Sequence, residues 1–309
     1  MKYKIGVDGG GTKTECILID SAGSMVACHV GTGCNPSVVG PEAAASILVA
    51  ALDSLRAQAV THLAELQTRP PSAQLVITDT LLCMAGSSGF WTEFAGGLAG
   101  FGRVQAMDDS RPILELATHG RPGLALHAGT GSFVAALTSD NSVHYAGGRG
   151  WRFGDSGSGY DLGARAIARA LLELQGWAPP SRLGPAVCAH AGVTPGTGTS
   201  AVTRHFYAHA DATRHIAALS RAVLSLATEG DEAAQQIVTA STGELLDLAV
   251  TVATKLFPSS RLETIPAGLS GPILTHPLVM KALAARSPLP LAAITDTPIE
   301  GVRQLLTRL

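Results

Sequence analysis

Three consecutive glycines between two β-prone runs constrain the fold of this chain more than any other feature. Residues 3–8 and 14–20 are short runs rich in Ile, Val, Leu and Thr, and residues 9–11 are all glycine. A glycine turn of this kind allows two strands to fold back on each other and allows a ligand to approach the backbone closely. A third β-prone run over residues 25–30 completes a predicted antiparallel meander.

The chain repeats this opening arrangement about 120 residues later. Residues 123–128, 132–138 and 142–146 predict a second meander, and Gly129, Thr130 and Gly131 form its glycine turn. Helical patterns follow each meander, so the sequence predicts a duplicated α/β fold with a ligand cleft between its halves. We expect an N-terminal domain over residues 1–115, joined by the terminal helix 298–309, and a C-terminal domain over residues 116–297.

Helical spacing, breakers and β-branched runs predict the remaining elements. The predicted helices are 43–66, 90–98, 112–119, 159–175, 183–191, 200–208, 213–228, 231–257, 277–285 and 299–309, and the further strands are 74–85, 103–107 and 263–269.

Composition argues against several classes of partner. The net charge is −2 and only 15% of residues are charged, which leaves no basic surface for nucleic acid or an anionic membrane. The five cysteines include no C-x-x-C pair, so their spacing suggests neither a zinc site nor a disulfide framework. We find no apolar signal core at the N-terminus and no run of eighteen uncharged apolar residues, and we therefore expect a cytoplasmic protein with a small-molecule partner.

The first glycine turn has the chemistry of a phosphate loop. Its backbone N–H groups can point at anionic oxygens, and Asp8 at the strand end is a natural holder of hydrated Mg²⁺. The turn joins two strands, so it differs from the Walker loop, which precedes a helix. An ordinary glycine hairpin is the alternative for the three glycines alone. Gly271, in the serine-glycine-proline turn after a late apolar strand, offers a third close approach, with a simple strand-to-helix turn as the alternative.

Four motifs carry a family resemblance over most of the chain. They are VDGGGTKT, HAGTGS, GGRGWRFGDSGSGYDLG and GLSGP, in this order. Together they resemble the N-acetylglucosamine kinases within the BadF/BadG/BcrA/BcrD ATPase group of the actin and hexokinase superfamily. The resemblance implies a duplicated ribonuclease H-like, actin-like ATPase fold, the use of ATP and Mg²⁺, phosphorylation of the 6-hydroxyl of N-acetylglucosamine, and a homodimer.

The resemblance also implies roles for individual residues. Asp8 would hold Mg²⁺ through water, and Gly271 would lie beside the adenosine. The residues expected to contact nucleotide phosphates are Gly10, Gly11, Thr12, Lys13, Gly129, Thr130 and Gly131. The residues expected to bind the sugar are Asn35, Asp109, Ser132, Gly147, Gly148 and Asp155.

Transfer of a phosphoryl group to an alcohol needs one carboxylate to orient the hydroxyl and accept its proton. Asp108 and Asp109 follow the predicted strand 103–107 and supply two candidates. Asp109 matches the family's catalytic aspartate better, which leaves Asp108 to cap or hydrogen-bond the following helix. A solvated helix start is the alternative for both acids.

Two residues depart from the family pattern. Ser156 stands where the family usually has an acid after Asp155, and Arg149 stands where it often has tryptophan. These changes bear on the choice of sugar, because Arg149 could pair with an internal acid, favour a substrate with a carboxylate, or point into solvent. Glucosamine or another amino sugar is the alternative substrate.

Two other classes of function fit the same superfamily less well. An ATPase activator of CoA-ester dehydratases would need cysteines for an iron–sulfur cluster, and the spacing of the cysteines does not resemble one. A sugar-sensing repressor would need a DNA-binding head before the first glycine turn, where only seven residues precede Asp8. His205 and His209 could share a helix face, but the sequence offers no third metal ligand beside them.

Overall fold

A computed structural model of the chain describes residues 2–65, 75–194 and 198–309. Contacts between residues divide it into two compact units. The first unit runs to His119 and resumes from Asp296 to Leu309, and the second unit is Gly120–Thr295. The end of the expected helix 43–66 and the start of the expected strand 74–85 lie outside the described residues.

The first unit contains a five-stranded mixed sheet. Its strands are β1 (Lys2–Gly9), β2 (Lys13–Asp20), β3 (Met25–Thr32), β4 (Val76–Met84) and β5 (Arg103–Asp108). β1, β2 and β3 form the predicted antiparallel meander, while β4 and β5 run parallel to β1. The three parallel strands therefore end at one edge of the sheet, where Asp8 of β1 pairs with Cys83 and Asp108 of β5 pairs with Met84.

Helices cover both faces of this sheet. They are α1 (Pro36–Val39), α2 (Pro41–Glu65), α3 (Ser88–Gly97), α4 (Ser110–Thr118) and α12 (Pro298–Thr307). Leu48 and Leu52 of α2 pack with Ile5 and Val7 on one face, and Leu306 of α12 packs in a separate cluster on the other face. Apolar side chains thus alternate between two cores along the central strands, as expected for strands covered on both sides.

The second unit repeats the strand order of the first. Its strands are β6 (Gly123–Ala128), β7 (Ser132–Leu137), β8 (Val143–Gly147), β9 (Ala267–Ser270) and β10 (Leu291–Ala293). The first sheet has the order β3-β2-β1-β4-β5 and the second has β8-β7-β6-β9-β10, so each unit is a meander extended by two parallel strands. The proline-rich approach to the three-residue β10 explains why no strand was predicted there.

The helices of the second unit lie mainly between β8 and β9 in the chain. They are α5 (Gly159–Leu174), α6 (Leu183–His190), α7 (Thr199–Ala208), α8 (Ala212–Ala218), α9 (Ser220–Thr228), α10 (Glu232–Leu256) and α11 (Pro277–Arg286). Residues of α5, α9, α10 and α11 share one apolar core with β6, β7 and β9.

Two element predictions were wrong. The predicted helix 213–228 is two helices that break at Leu219, where the Ser220 hydroxyl donates a hydrogen bond to the Ala217 carbonyl. The predicted strand 263–269 is shorter, because Leu262–Thr264 form a 3-10 turn and Pro266 has no N–H to donate.

Two helices, α2 and α10, are long and apolar enough to cross a membrane by length and composition alone, although no spanning helix was expected. Each packs apolar side chains into the core of its own unit, including Leu55 of α2 and Leu246 of α10. Core helices of globular proteins pass the same test, so the finding is weak support for a membrane span.

Candidate active site

The first glycine turn is held by its own backbone and by the loop after β3. The Gly10 N–H donates to the Lys13 carbonyl at 2.9 Å, and the Cys34 N–H donates to the Gly10 carbonyl at 3.1 Å. Gly33 approaches so closely that an added Cβ would lie 2.4 Å from the Gly11 carbonyl. The turn that carries Gly10, Gly11 and Thr12 is therefore locked against the loop that leads to Asn35.

Asp8 is a half-buried carboxylate at the end of β1 whose side chain makes no hydrogen bond to the described residues. Burial raises its pKa to about 6, an effect partly opposed by the positive charge of Lys13. Lys13 also forms an ion pair with Glu15 at 2.5 Å. An unpaired carboxylate at the mouth of a phosphate-type turn fits Mg²⁺, which is usually bound by one or two carboxylates, waters and substrate phosphates.

Asp108 and Asp109 differ in what their side chains do. The Asp108 Oδ1 accepts a hydrogen bond from the Ser110 N–H at 2.9 Å, so this acid shapes the start of α4. Asp109 occupies the N-cap position of α4 but makes no side-chain capping bond. The pKa of Asp109 is raised to about 7, first by burial and then by the charge and hydrogen bonding of Asp108 and the charge of Asp8. Asp109 is thus a carboxyl group poised to exchange a proton near neutral pH.

Asn35 lies at the N-cap of α1. Its Oδ1 accepts a hydrogen bond from the Ser37 N–H at 2.9 Å and faces Gly86, where an added Cβ would lie 2.6 Å from that oxygen. The capping bond fixes the amide plane and leaves the amide NH₂ group as the available donor.

The second glycine turn is anchored to the start of α5. The Gly159 N–H donates to the Gly129 carbonyl at 2.7 Å, and the Tyr160 N–H donates to the Thr130 carbonyl at 3.2 Å. Gly131 lies against the Asp155 carboxylate, since a Cβ added at Gly131 would be 3.0 Å from Asp155 Oδ2. The turn therefore brings the predicted phosphate residues of this unit next to a predicted sugar residue.

A cavity of about 700 Å³ opens beside this turn. Its lining includes Gly129, Thr130 and Pro272. Gly271 has φ +87° and leaves no room for a side chain, because an added Cβ would lie 2.3 Å from the Ala128 carbonyl oxygen. The loop at Gly271 consequently lies directly on the end of β6, at the wall of a cavity within the usual size range for small-molecule sites.

Sequence reasoning missed the helical wall of this cavity. Arg221, Ser225 and Thr228 of α9 line it, together with Arg214 of α8. The spacing of 221, 225 and 228 places these polar residues on one face of a helix, and that pattern could have identified them.

A second cavity, of about 260 Å³, brings together the predicted sugar residues of the second unit. Ser132, Gly147 and Asp155 line it, and Gly148 lies next to it against Phe133. Asp155 is only 7% exposed, and its Oδ1 is buried without a hydrogen-bond partner. A buried acceptor without a donor is costly to maintain unless a ligand supplies one.

The two departures from the family pattern have different surroundings. The Ser156 hydroxyl donates to Glu244 at 2.7 Å, while its carbonyl accepts a bond from the Ser132 hydroxyl at 2.7 Å. Arg149 is exposed, and no ion pair with another described residue involves it. Glu244, which also lines the smaller cavity, had no signal in the sequence.

Histidines 205 and 209 do have histidine neighbours. His215 stacks between His190 and His209, with ring centroids at 4.4 and 4.2 Å, and its Nε2 lies 2.7 Å from that of His205. Stacked rings cannot point their nitrogens at one ion, and no group of three or more His, Cys, Asp or Glu within the described ranges could hold a metal.

The curated relatives match about half of this sequence, and a solved structure matches nearly the whole chain. An N-acetylmuramic acid/N-acetylglucosamine kinase of Clostridium acetobutylicum is 28% identical over 171 residues, or 55% of this chain and 54% of that protein. An N-acetyl-D-glucosamine kinase of Dictyostelium discoideum is 27% identical over 54% of this chain and 53% of that protein. The chain thus spans about half the length of the curated relatives it matches.

A Chromobacterium violaceum protein with a provisional assignment as N-acetylglucosamine kinase superposes with a TM-score of 0.70. It is 28% identical, and the match covers 99% of both chains. The repeated strand order and this superposition confirm the predicted class, a duplicated ribonuclease H-like fold of the actin-like ATPases.

A sequence profile shows which family the chain belongs to. The BadF/BadG/BcrA/BcrD ATPase family matches residues 5–262, which is most of the chain. The chain belongs to this family, as its four motifs indicated.

Proposed function

We propose that this protein is an ATP-dependent kinase that phosphorylates the 6-hydroxyl of N-acetylglucosamine. The observation that carries the proposal is Asp155, a buried carboxylate with an unpartnered oxygen in a cavity shared with Ser132 and Gly147. Sugar hydroxyls are the donors that such an acceptor lacks. The named kinases among the relatives support an amino sugar as the substrate.

The nucleotide is proposed to bind the cavity of about 700 Å³ beside Gly129 and Thr130. Adenosine would lie against the loop at Gly271, and the phosphates would approach the glycine turn at Gly129 and Thr130. Backbone N–H groups at such turns stabilise phosphate oxygens without any change of protonation.

Asp109 is proposed as the base. Its carboxylate accepts the proton of the sugar hydroxyl, the hydroxyl oxygen forms a bond to the γ-phosphorus, the bond from that phosphorus to the bridging oxygen breaks, and ADP leaves. The Asp109 side chain makes no capping hydrogen bond to α4, and its pKa of about 7 suits a group that must take up a proton at neutral pH.

Asp8 and Asn35 complete the first unit's contribution to the proposal. Asp8 would hold Mg²⁺ through water, and the ion would neutralise charge on the phosphates. Asn35 would donate from its fixed amide to a sugar oxygen, because its own oxygen already caps α1.

A coupled ADP-release assay with Mg²⁺-ATP tests this proposal against N-acetylglucosamine, glucosamine, N-acetylmannosamine and glucose. We expect turnover with N-acetylglucosamine, and a loss of about 10²- to 10⁴-fold in turnover for Asp109→Asn with nucleotide binding retained. Turnover with glucosamine alone would change the proposed substrate but would leave the proposed kinase activity in place. ATP hydrolysis that no sugar stimulates would contradict the proposal and favour an ATPase role.

A further inference from the structure

Glu244 of α10 lies in the same small cavity as Asp155, although nothing in the motifs indicates it. Among the described residues, those that line this cavity include both carboxylates and no cationic side chain. One acid, Asp155, is 7% exposed and has a buried oxygen without a partner. The other acid, Glu244, is about half exposed, with 48% of its side-chain surface accessible.

Glu244 is held in one orientation from two sides. Its Oε2 accepts a hydrogen bond from Arg165 at 2.6 Å and another from the Ser156 hydroxyl at 2.7 Å. Both bonds end on the same oxygen, and Oε1 makes none with the described parts of the chain. A fixed carboxylate with one open oxygen at a cavity wall is prepared to accept a ligand hydroxyl or N–H.

Arg165 keeps Glu244 charged. The guanidinium lies between Asp161 of its own helix and Glu244 of α10, at 2.9 and 2.6 Å. Its hydrogen bond to Glu244 is the main reason that the pKa of this glutamate is lowered, so the group is ionised at neutral pH. Because Arg165 is already shared by two acids, the cavity keeps a net negative character.

A chain of hydrogen bonds connects Glu244 with the proposed sugar residues. The Ser132 hydroxyl donates to the Ser156 carbonyl, and the Ser156 hydroxyl donates to Glu244. Ser132 and Asp155 are both residues assigned to the sugar above, so Glu244 is the next group along the same wall.

We propose that Glu244 is a sugar-binding residue, that Arg165 positions it, and that the cavity with its two carboxylates selects neutral or cationic amino sugars over sugars that carry a carboxylate. The inference rests on the proposed function and names the substrate class of that site. Glu244 would accept a hydrogen bond from the sugar. The positive charge of the exposed Arg149 would not be enough to favour a sugar that carries a carboxylate.

The test compares Glu244→Gln with a matched control on the same helix. Asp247→Asn, one turn further along α10, removes the acid from another interhelical ion pair, 2.6 Å from Arg286, and does not line the cavity. We expect Glu244→Gln to raise KM for N-acetylglucosamine about 10- to 100-fold, since a charged hydrogen-bond acceptor is lost. KM for ATP should stay within about twofold of the wild type, as expected for a residue outside the nucleotide cavity.

Glu244→Asp keeps the charge and shortens the reach, so it should fall between the wild type and Glu244→Gln. Asp247→Asn should match the wild type for both substrates. The wild type should use N-acetylmuramic acid with kcat/KM at least about 10-fold below that for N-acetylglucosamine, because the ionised Glu244 repels the carboxylate of that sugar.

The outcomes separate the inference from the function on which it rests. Unchanged sugar KM in Glu244→Gln, or equal use of N-acetylmuramic acid by the wild type, would overturn the inference and leave the kinase standing. An equal loss in Asp247→Asn would also overturn it, since the effect would then belong to α10 packing. Absence of sugar phosphorylation by the wild type would overturn both.

Discussion

Asp109→Asn should stabilise the protein while it removes the proposed base. The pKa of Asp109 is raised from 3.8 to about 7, first by burial and then by Asp108. At about 1.4 kcal/mol per pKa unit, the ionised form costs the folded protein roughly 4 kcal/mol. Screening by solvent and relaxation around a partly accessible pair reduce this ceiling, so we expect a gain of about 1–3 kcal/mol at pH 8.

The sign of the pH dependence follows from the raised pKa. The folded protein binds the proton more tightly than the unfolded chain, so this group favours folding below pH 3.8 and loses that contribution as the pH rises through about 7. Because asparagine does not titrate, the Asp109→Asn variant does not lose this stability as the pH rises. Its advantage over the wild type should therefore grow between pH 5 and pH 8 and shrink towards zero near pH 4.

Urea denaturation in EDTA at pH 5, 6.5 and 8 measures the free energy of unfolding of both proteins. Asp53→Asn, on the exposed face of α2, is the matched control and should change stability by less than about 0.5 kcal/mol at each pH. A variant that is less stable than the wild type at pH 8, or a gain that does not depend on pH, would refute the placement of Asp109 in a charge-disfavouring site.

Three further predictions concern other parts of the molecule. Asp8→Asn should raise the Mg²⁺ concentration needed for half-maximal turnover, because it removes the proposed Mg²⁺ carboxylate; an unchanged Mg²⁺ titration would contradict that role. The pKa of His215 is lowered by burial and by the surrounding histidines, so Tm should fall as the pH drops through about 6.5, and His215→Gln should flatten that fall in a thermal-shift series. Leu306→Ala should cost about 2–5 kcal/mol in urea, because Leu306 is fully buried under the first sheet, while Leu309→Ala should cost less than about 0.5 kcal/mol; equal costs would show that α12 does not close that core.

The two antiparallel meanders could be predicted from the sequence because the signals for them are local. The glycine turns, the β-prone runs and the short spacers lie within about twenty residues of each other, and their strands pair as predicted. The parallel strands β4 and β9 also follow from short apolar runs, although Pro266 made the second shorter than expected.

Contacts between distant elements were not predictable from one sequence. The break at Leu219 lies where Gly159 closely approaches Ala217 and Ser220, and no helical period reveals this contact. Glu244 reaches the cavity of about 260 Å³ across 88 residues from Ser156, and it looks like any exposed glutamate of a long helix until α10 is placed beside β7. The histidine cluster arises in the same way, from three separate helices.

Three of the predicted sugar-binding residues lie together in the structure, while their roles stay predictions. Ser132, Gly147 and Asp155 were named separately and line one cavity. Their roles were carried by resemblance, whereas the physical reason for a ligand there, the unpartnered oxygen of Asp155, exists only in three dimensions.

Two-dimensional ¹H–³¹P NMR of the reaction products shows which sugar hydroxyl is phosphorylated. The protein is incubated with N-acetylglucosamine, ATP and Mg²⁺, and Asp109→Asn serves as the matched blank. We predict a phosphorus signal coupled to the two protons on carbon 6 of the sugar, formed in equal amount with ADP and nearly absent with the variant. ADP without a phosphorylated sugar, or a phosphorus signal coupled to a different ring position, would contradict it.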